Sequence, residues 1–98
     1  MARAQRQIVV GNRHGLHARP AMQLVELANR FQSAISLTKS AADGQPAVVA
    51  DAKSVMAVIT LAATPGTHLH LEADGPDAEQ AVEEVGRLFD QRFGEEDE

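Results

Sequence analysis

The sequence predicts an α+β fold, an open-faced β-sandwich in which three helices cover one face of a four-stranded antiparallel sheet. Its apolar residues alternate between strand and helix periodicity, which indicates the order β-α-β-β-α-β-α. The last predicted strand alternates strictly, so the other face of the sheet is solvated. With 98 residues and no repeat or linker, we assign residues 1–98 to one domain, with a core over about 5–93 and an acidic tail over 94–98.

The first strand and the first helix are separated by an irregular turn. Residues 5–10 form the strand, and Gly11 and Gly15 mark the turn. A helix pattern begins at His17, with Pro20 in the first turn, where a missing N–H costs nothing. The apolar stripe of this helix has helical spacing and consists of Ala21, Leu24, Val25, Ala28 and Phe31.

The middle of the chain predicts two strands and a short helix. Residues 34–38 and 47–50 form the strands, and the Asp-Gly pair at 43–44 indicates a turn between them. The short helix extends to Leu61, and Ser54 is its expected N-cap because a serine hydroxyl can accept from a first-turn N–H.

The last strand and helix complete the predicted order. Residues 67–73 alternate as a half-buried strand, and Asp77 is the expected cap of the final helix. The apolar stripe of that helix consists of Ala81, Val82, Val85, Leu88 and Phe89. Beyond Gly94 we expect a mobile acidic end that serves only solubility.

Composition excludes several classes of function. The chain has no Cys, which excludes a disulfide scaffold, a thiolate metal site and a catalytic thiol. No apolar run approaches the roughly 18 residues needed to cross a bilayer. The net charge of −5 disfavours a nucleic-acid binder, since such proteins are normally basic. We therefore expect a cytoplasmic protein that neither inserts into a membrane nor binds nucleic acid.

His17 is the candidate for chemistry, because it lies where a glycine-containing turn meets the start of a helix. A helix N-terminus presents unpaired N–H groups and the positive end of the helix dipole, which together favour anions such as phosphate. Arg19 adds a planar guanidinium suited to phosphoryl oxygens. The combination predicts a nucleophilic imidazole beside a phosphate cradle. The residues alone leave a second interpretation open, in which His17 only caps the helix beside a solvated arginine.

Two segments of the sequence carry a resemblance to a known family. One covers residues 51–58, and the more specific one reads Gly15-Leu16-His17-Ala18-Arg19-Pro20-Ala21. This heptapeptide is similar to the active-site sequence of the histidine-containing phosphocarrier (HPr) family of the bacterial phosphoenolpyruvate-dependent sugar phosphotransferase system. Residues 51–58 look like that family's regulatory serine segment, and the order of elements also matches, over about residues 5–93.

The resemblance implies a phosphoryl carrier rather than a free-standing catalyst, with no cofactor. His17 matches the histidine that carries the phosphoryl group on Nδ1, and Arg19 matches the arginine that steadies it. The backbone at Ala18 and Arg19 would help to hold the phosphate. The implied partners are phospho-enzyme I as donor and enzyme IIA domains as acceptors. A monomer is expected, because a shuttle must free its active face.

Ser54 matches the serine that an HPr kinase/phosphorylase modifies in one branch of the family. The resemblance thus implies regulation by phosphorylation, which adds about two negative charges near the face that partners use. The alternative is a plain N-cap, which is a very common role for serine.

Four apolar residues are the candidate docking surface, namely Met22, Val55, Met56 and Ile59. Methionine adapts to more than one partner, which suits a shuttle. On the short helix Val58 and Leu61 face the core, and the other apolar positions fall partly off that face. We expect Met22 and Met56 to be exposed, whereas Val55 and Ile59 could instead be core residues.

The remaining histidines and some departures from the family pattern qualify this interpretation. His68 and His70 share one side of the last strand, but without a third ligand they predict a wet sheet face and no metal site. Many relatives carry Lys near the docking surface, whereas this chain has Glu26, Asn29 and Ala57, which weakens steering towards acidic partners. The alternative function is therefore a regulatory binding module of a nitrogen-linked or transporter-free phosphotransfer chain, controlled at Ser54.

Overall fold

The computed structural model describes residues 2–41, 44 and 46–95, and it confirms the predicted open-faced β-sandwich. The four strands form one antiparallel sheet in the order β1-β4-β2-β3. Asp43 of the expected Asp-Gly turn lies outside the described residues. The elements are β1 (Arg3–Val9), α1 (Ala18–Ala28), β2 (Ala34–Lys39), β3 (Val48–Asp51), α2 (Val55–Leu61), β4 (His68–Asp74), α3 (Ala78–Asp90) and a short 3-10 turn, η1 (Arg92–Gly94).

The side chains of β4, an interior strand, show that one face of the sheet is buried and the other is exposed to solvent. Leu69 and Leu71 are fully buried, whereas His68 and Asp74 on the other face are exposed. Leu71 lies opposite Leu37 of β2, so the core continues across the strands in register. Because successive side chains of a strand point to opposite faces, the observed alternation confirms the half-buried strand.

Helices α1 and α2 pack against each other in opposite directions. The N–H of Leu16, just before α1, donates to the carbonyl of Ala63, just after α2, at 3.0 Å. At the other end, the Asn29 amide that follows α1 donates to the carbonyl of Lys53, just before α2, at 3.3 Å. The two helices are thus tied at both ends, and each begins where the other finishes.

The observed α1 is shorter than its apolar stripe suggested. It ends at Ala28 with Asn29 as C-cap, and Phe31 lies in the turn that follows. Phe31 is nevertheless buried, because the turn carries it back over the core. None of the helices within residues 2–41, 44 and 46–95 is long and apolar enough to cross a bilayer.

Asp77 occupies the first position before α3, but the prediction that its side chain caps this helix is wrong. Its carboxylate instead accepts from the backbone N–H groups of Gln32 and Ser33, both at 2.9 Å, and from the Ser33 hydroxyl at 2.5 Å. The carboxylate therefore joins the turn after α1 to the start of α3. These hydrogen bonds, led by that from Ser33, hold the pKa of Asp77 below its ordinary value.

The Asp77→Asn variant should lose stability at neutral pH and much less in acid. Because the folded pKa of Asp77 is lowered, its contribution is present above the unfolded value and is lost as pH falls through the folded one. We expect the difference in unfolding free energy between wild type and variant to shrink below about pH 4. Urea unfolding at several pH values measures it, with exposed Asp74→Asn as the matched control. A difference that stays constant with pH would contradict the linkage.

Candidate functional site

His17 is the N-cap residue of α1, with an extended backbone (φ −77°, ψ −173°). Its side chain makes no capping hydrogen bond and is 40% exposed. The interpretation in which this ring only caps the helix is therefore not what the geometry shows. The ring instead stands at the helix end, where both solvent and a partner can reach it.

The turn before α1 is held by a buried amide and a close backbone contact. Asn12 is fully buried, and its Nδ2 donates to the carbonyl of Gly15 at 2.6 Å. Gly15 has φ +68°, and a Cβ at this position would overlap the carbonyl oxygen of Ala63. Only glycine fits this conformation at this distance from neighbouring backbone. These contacts place His17 directly after Leu16, whose N–H joins the start of α1 to the end of α2.

Glu95 reaches this site from the other end of the chain. Its Oε2 lies 3.0 Å from Nε2 of His17, and its Oε1 accepts from Asn12 Nδ2 at 2.9 Å. The Glu95 side chain is only 17% exposed. The expectation of a mobile, purely solubilising tail is therefore wrong for Glu95, while residues 96–98 lie outside the described residues.

Several groups hold the pKa of the Glu95 carboxyl below its ordinary value. The largest contribution is the hydrogen bond from Asn12, and the positive charges that His17 and Arg19 can carry add to it. Partial burial acts in the opposite direction but does not prevail. The carboxylate is therefore ionised in the neutral range, next to the imidazole.

The other predicted anion-binding groups lie in the first turn of α1. Ala18 and Arg19 are exposed, and first-turn N–H groups have no acceptor within the helix. The His14 ring lies edge-on to the His17 ring, with centroids 5.9 Å apart. This end of α1 thus combines an exposed imidazole, a guanidinium and free N–H donors, which is what binding of a phosphoryl group requires.

Ser54 does not join this cluster. It is the N-cap of α2, as predicted, and its hydroxyl accepts from the Ala57 N–H at 3.2 Å. Because α1 and α2 are antiparallel, Ser54 lies beside the end of α1 that is farthest from His17. An 11-residue helix spans about 16 Å, so the two positions are well separated.

Most of the predicted docking residues are exposed. Met22 is 54% exposed and Met56 is 73% exposed, as expected for these two side chains. Ile59 is 40% exposed and is therefore not a core residue. Val55 is partly buried. Val58 and Leu61 are fully buried, as expected for the core side of α2. Exposed apolar side chains thus lie on both α1 and α2.

The paired histidines of β4 lie on the wet face of the sheet. The side chains of His70 and Gln7 are linked by a hydrogen bond of 3.1 Å. Nε2 of His70 is 3.8 Å from a Glu72 carboxylate oxygen. Within the described ranges of the chain, no cluster of three or more His, Cys, Asp or Glu side chains is arranged to hold a metal ion.

Sequence reasoning missed two residues of the site. Asn12 carried the usual signal of a turn, a small polar residue close to glycine, but nothing in the pattern showed that its amide would be buried. Glu95 carried no local signal, since it is 78 positions away from the ring that it contacts. Only the folded chain brings the two together.

Comparison with known proteins agrees with the fold and shows the family. Residues 4–91 match the family model described as PTS HPr component phosphorylation site. The chain is 39% identical over 90 residues to phosphocarrier protein NPr of Proteus mirabilis, covering 92% of this chain and 94% of the relative. It is 41% identical over 85 residues to phosphocarrier protein HPr of Treponema pallidum, covering 87% and 90%. The crystal structure of HPr from Thermoanaerobacter tengcongensis superposes with a TM-score of 0.82 at 34% identity, covering 95% and 98%.

The Gly15→Ala variant should be destabilised and should displace His17. A left-handed backbone costs an L-residue about 1–2 kcal/mol, and the overlap with Ala63 adds to that cost. Gly66→Ala is the matched control, because Gly66 has φ +87° but open space around a Cβ. Urea unfolding measures the stability, and the amide shift of His17 reports its displacement. Equal losses in the two variants would show that the Ala63 contact is unimportant.

Proposed function

The chain belongs to the HPr family of phosphotransferase-system phosphocarriers, and from that premise we propose that His17 accepts a phosphoryl group from phospho-enzyme I and passes it to enzyme IIA domains of sugar transporters. The observation that carries the proposal is the exposed His17 ring, which stands at the N-terminus of α1 without a capping bond. Arg19 and the backbone N–H groups of Ala18 and Arg19 are the phosphate-binding groups of this proposal.

The transfer needs little covalent machinery. The lone pair on Nδ1 of His17, the atom that the family resemblance implies, forms the new N–P bond. The bond between phosphorus and the donor breaks, and the donor keeps that electron pair. The positive end of the α1 dipole and the Arg19 guanidinium stabilise the charge on the phosphoryl oxygens. Transfer onward reverses these changes, so catalysis consists mainly of positioning and electrostatics.

Partner docking on Met22, Val55, Met56 and Ile59 is part of the same proposal. Two partners must use one surface in turn, and exposed methionines adapt to different shapes. We place this exchange in the cytoplasm and assign it to a monomer formed by one HPr-like domain. A permanent interface over these helices would cover the ring that each partner has to reach.

The His17→Ala variant should lose all phosphoryl acceptance while it retains the fold, because His17 is a surface residue whose ring does not pack in the core. We would incubate the chain with phosphoenolpyruvate, Mg²⁺ and enzyme I. Intact mass and phosphorus NMR then detect acid-labile phosphate. His68→Ala, on the wet sheet face, should be labelled like wild type. Stoichiometric label on the His17→Ala chain would overturn the assignment.

Regulation at Ser54 is supported by the resemblance of its segment and by its position on α2. A phosphate there adds about −1.5 to −2 charge near neutral pH. Ser54 immediately precedes a helix that carries the exposed Met56 and Ile59. The added charge lies about one α1 length from His17, so it would act on docking and not on the chemistry of the ring.

Phosphorylation of Ser54 should therefore slow labelling of His17 by enzyme I at low enzyme I concentration and much less at saturation. The expected reagent is an HPr kinase/phosphorylase with ATP, and acid-stable phosphate identifies the serine ester. Ser54→Ala is the control that cannot be modified, although loss of the cap should cost it about 1 kcal/mol of stability. No acid-stable label on wild type, or an equal rate after labelling, would contradict regulation at this site.

A second candidate is a nitrogen-linked or transporter-free phosphotransfer chain. The exposed Glu26 and Asn29 and the neutral Ala57 favour it, because they do not attract acidic partners as lysines would. Parallel transfer assays with enzyme I and enzyme IIA proteins of the two kinds of chain discriminate the candidates. Faster transfer in the sugar chain supports the first, and faster transfer in the other chain supports the second.

A further inference from the structure

The segment that carries Glu95 is held in an unusual backbone conformation. Arg92 and Phe93, in the short turn η1 that follows α3, have φ of +54° and +56°. This left-handed region costs a non-glycine residue about 1–3 kcal/mol. Phe93 is buried and packs edge-on against Phe89, with ring centroids 4.8 Å apart. Burial of the Phe93 ring offsets the strain. The turn directs the chain back towards α1, and the buried Phe93 holds the segment that places Glu95 beside His17.

Asn12 fixes the Glu95 carboxylate independently of His17. Its Nδ2 holds Glu95 Oε1 at 2.9 Å and the Gly15 carbonyl at 2.6 Å. Asn12 is fully buried, so its amide cannot exchange these partners for water. Oε2 is thereby left facing Nε2 of His17 at 3.0 Å.

This contact determines which nitrogen of the ring carries the proton. An ionised carboxylate only accepts hydrogen bonds, so Nε2 of His17 must be the donor. A neutral imidazole carries a single N–H, and Nδ1 is then the atom with the free lone pair. The carboxylate remains ionised in the neutral range because Asn12 lowers its pKa.

We propose that Glu95 is a positioning residue for phosphoryl transfer, holding the Nε2 proton of His17 so that the ring presents Nδ1 to the incoming phosphorus. The inference rests on the proposed function of His17. When Nδ1 forms its bond to phosphorus, the proton stays on Nε2 and the ring becomes an imidazolium. The Glu95 carboxylate balances that positive charge, and the donor keeps the electron pair of the bond that breaks.

Repulsion between Glu95 and the phosphoryl group opposes the attraction between Glu95 and the imidazolium, but the repulsion is weaker. The carboxylate lies against Nε2, whereas the phosphoryl group is attached to Nδ1 on another side of the ring. The phosphoryl group carries about two negative charges, but the positive N-terminus of α1 and the Arg19 guanidinium offset much of that charge. Because Coulomb energy also falls with distance, attraction to the adjacent imidazolium exceeds the remaining repulsion. Arg19, which also interacts electrostatically with Glu95, reduces the repulsion further.

The tautomer of His17 in the unphosphorylated full-length chain is the direct test. We would record long-range ¹H–¹⁵N spectra of the imidazoles at about pH 9, well above the ordinary imidazole pKa. Wild type should show His17 in the Nε2–H form, and Glu95→Ala should shift both ring nitrogens towards the averaged values of the exposed His68. Glu79→Gln is the matched control, because it removes an exposed carboxylate on α3. Identical His17 shifts in wild type and Glu95→Ala, or an Nδ1–H form in wild type, would overturn the proposal.

Transfer from phospho-enzyme I gives a second readout. Glu95→Gln should lower the equilibrium constant for phosphorylation of His17 about two- to fivefold, the range for a partly exposed ion pair, while Glu79→Gln should leave it unchanged. An unchanged equilibrium in Glu95→Gln would count against the charge-balancing role. The imidazole spectra need no phosphate, so a wild-type chain that is never labelled refutes the function of His17, and the spectra still decide the role of Glu95.

Discussion

The buried amide of Asn12 is the interaction on which the site depends. One NH₂ group holds the carbonyl of Gly15 and the carboxylate of Glu95, and thereby joins the turn before α1 to the segment after α3. Burial makes both bonds expensive to break, because a lost partner would leave a polar atom away from water. The Oδ1 atom of Asn12 has no hydrogen-bond partner within the described part of the chain. The two hydrogen bonds that the Asn12 amide donates have to offset this cost. His17 is thus positioned by a residue that does not touch it.

The antiparallel packing of α1 and α2 gives the molecule one surface with two distinct ends. His17 stands at the end of this pair where α2 finishes, and Ser54 stands at the end where α2 begins. The exposed Met22, Met56 and Ile59 lie on the helices that connect them. In the proposed function, phosphoryl transfer takes place at one end of this helix pair and regulation of docking at the other, about one α1 length away.

A core with few aromatic rings accounts for the compactness of this arrangement. Alanines are fully buried on α1, on β4 and on α3, for example Ala21, Ala73 and Ala81. Small side chains let the helices approach the sheet closely, so that 98 residues suffice for a sheet, three helices and a site. The buried Phe89 and Phe93 are concentrated where the chain turns back towards α1. They supply the apolar contact that the strained turn requires.

The sequence by itself determined the order of elements, the wet face of β4 and the helix start at His17, because each of these depends on local periodicity or on a nearby glycine or proline. It also determined that Ser54 caps α2, since capping is a contact between residues three apart. Only the tertiary structure decided the roles of Asp77 and Glu95. The Asp77 carboxylate does not cap its own helix but accepts from the N–H of Ser33, 44 positions away. Glu95 contacts the His17 ring, 78 positions away. No local pattern encodes such pairs, because their energies depend on where packing brings distant backbone and charge together.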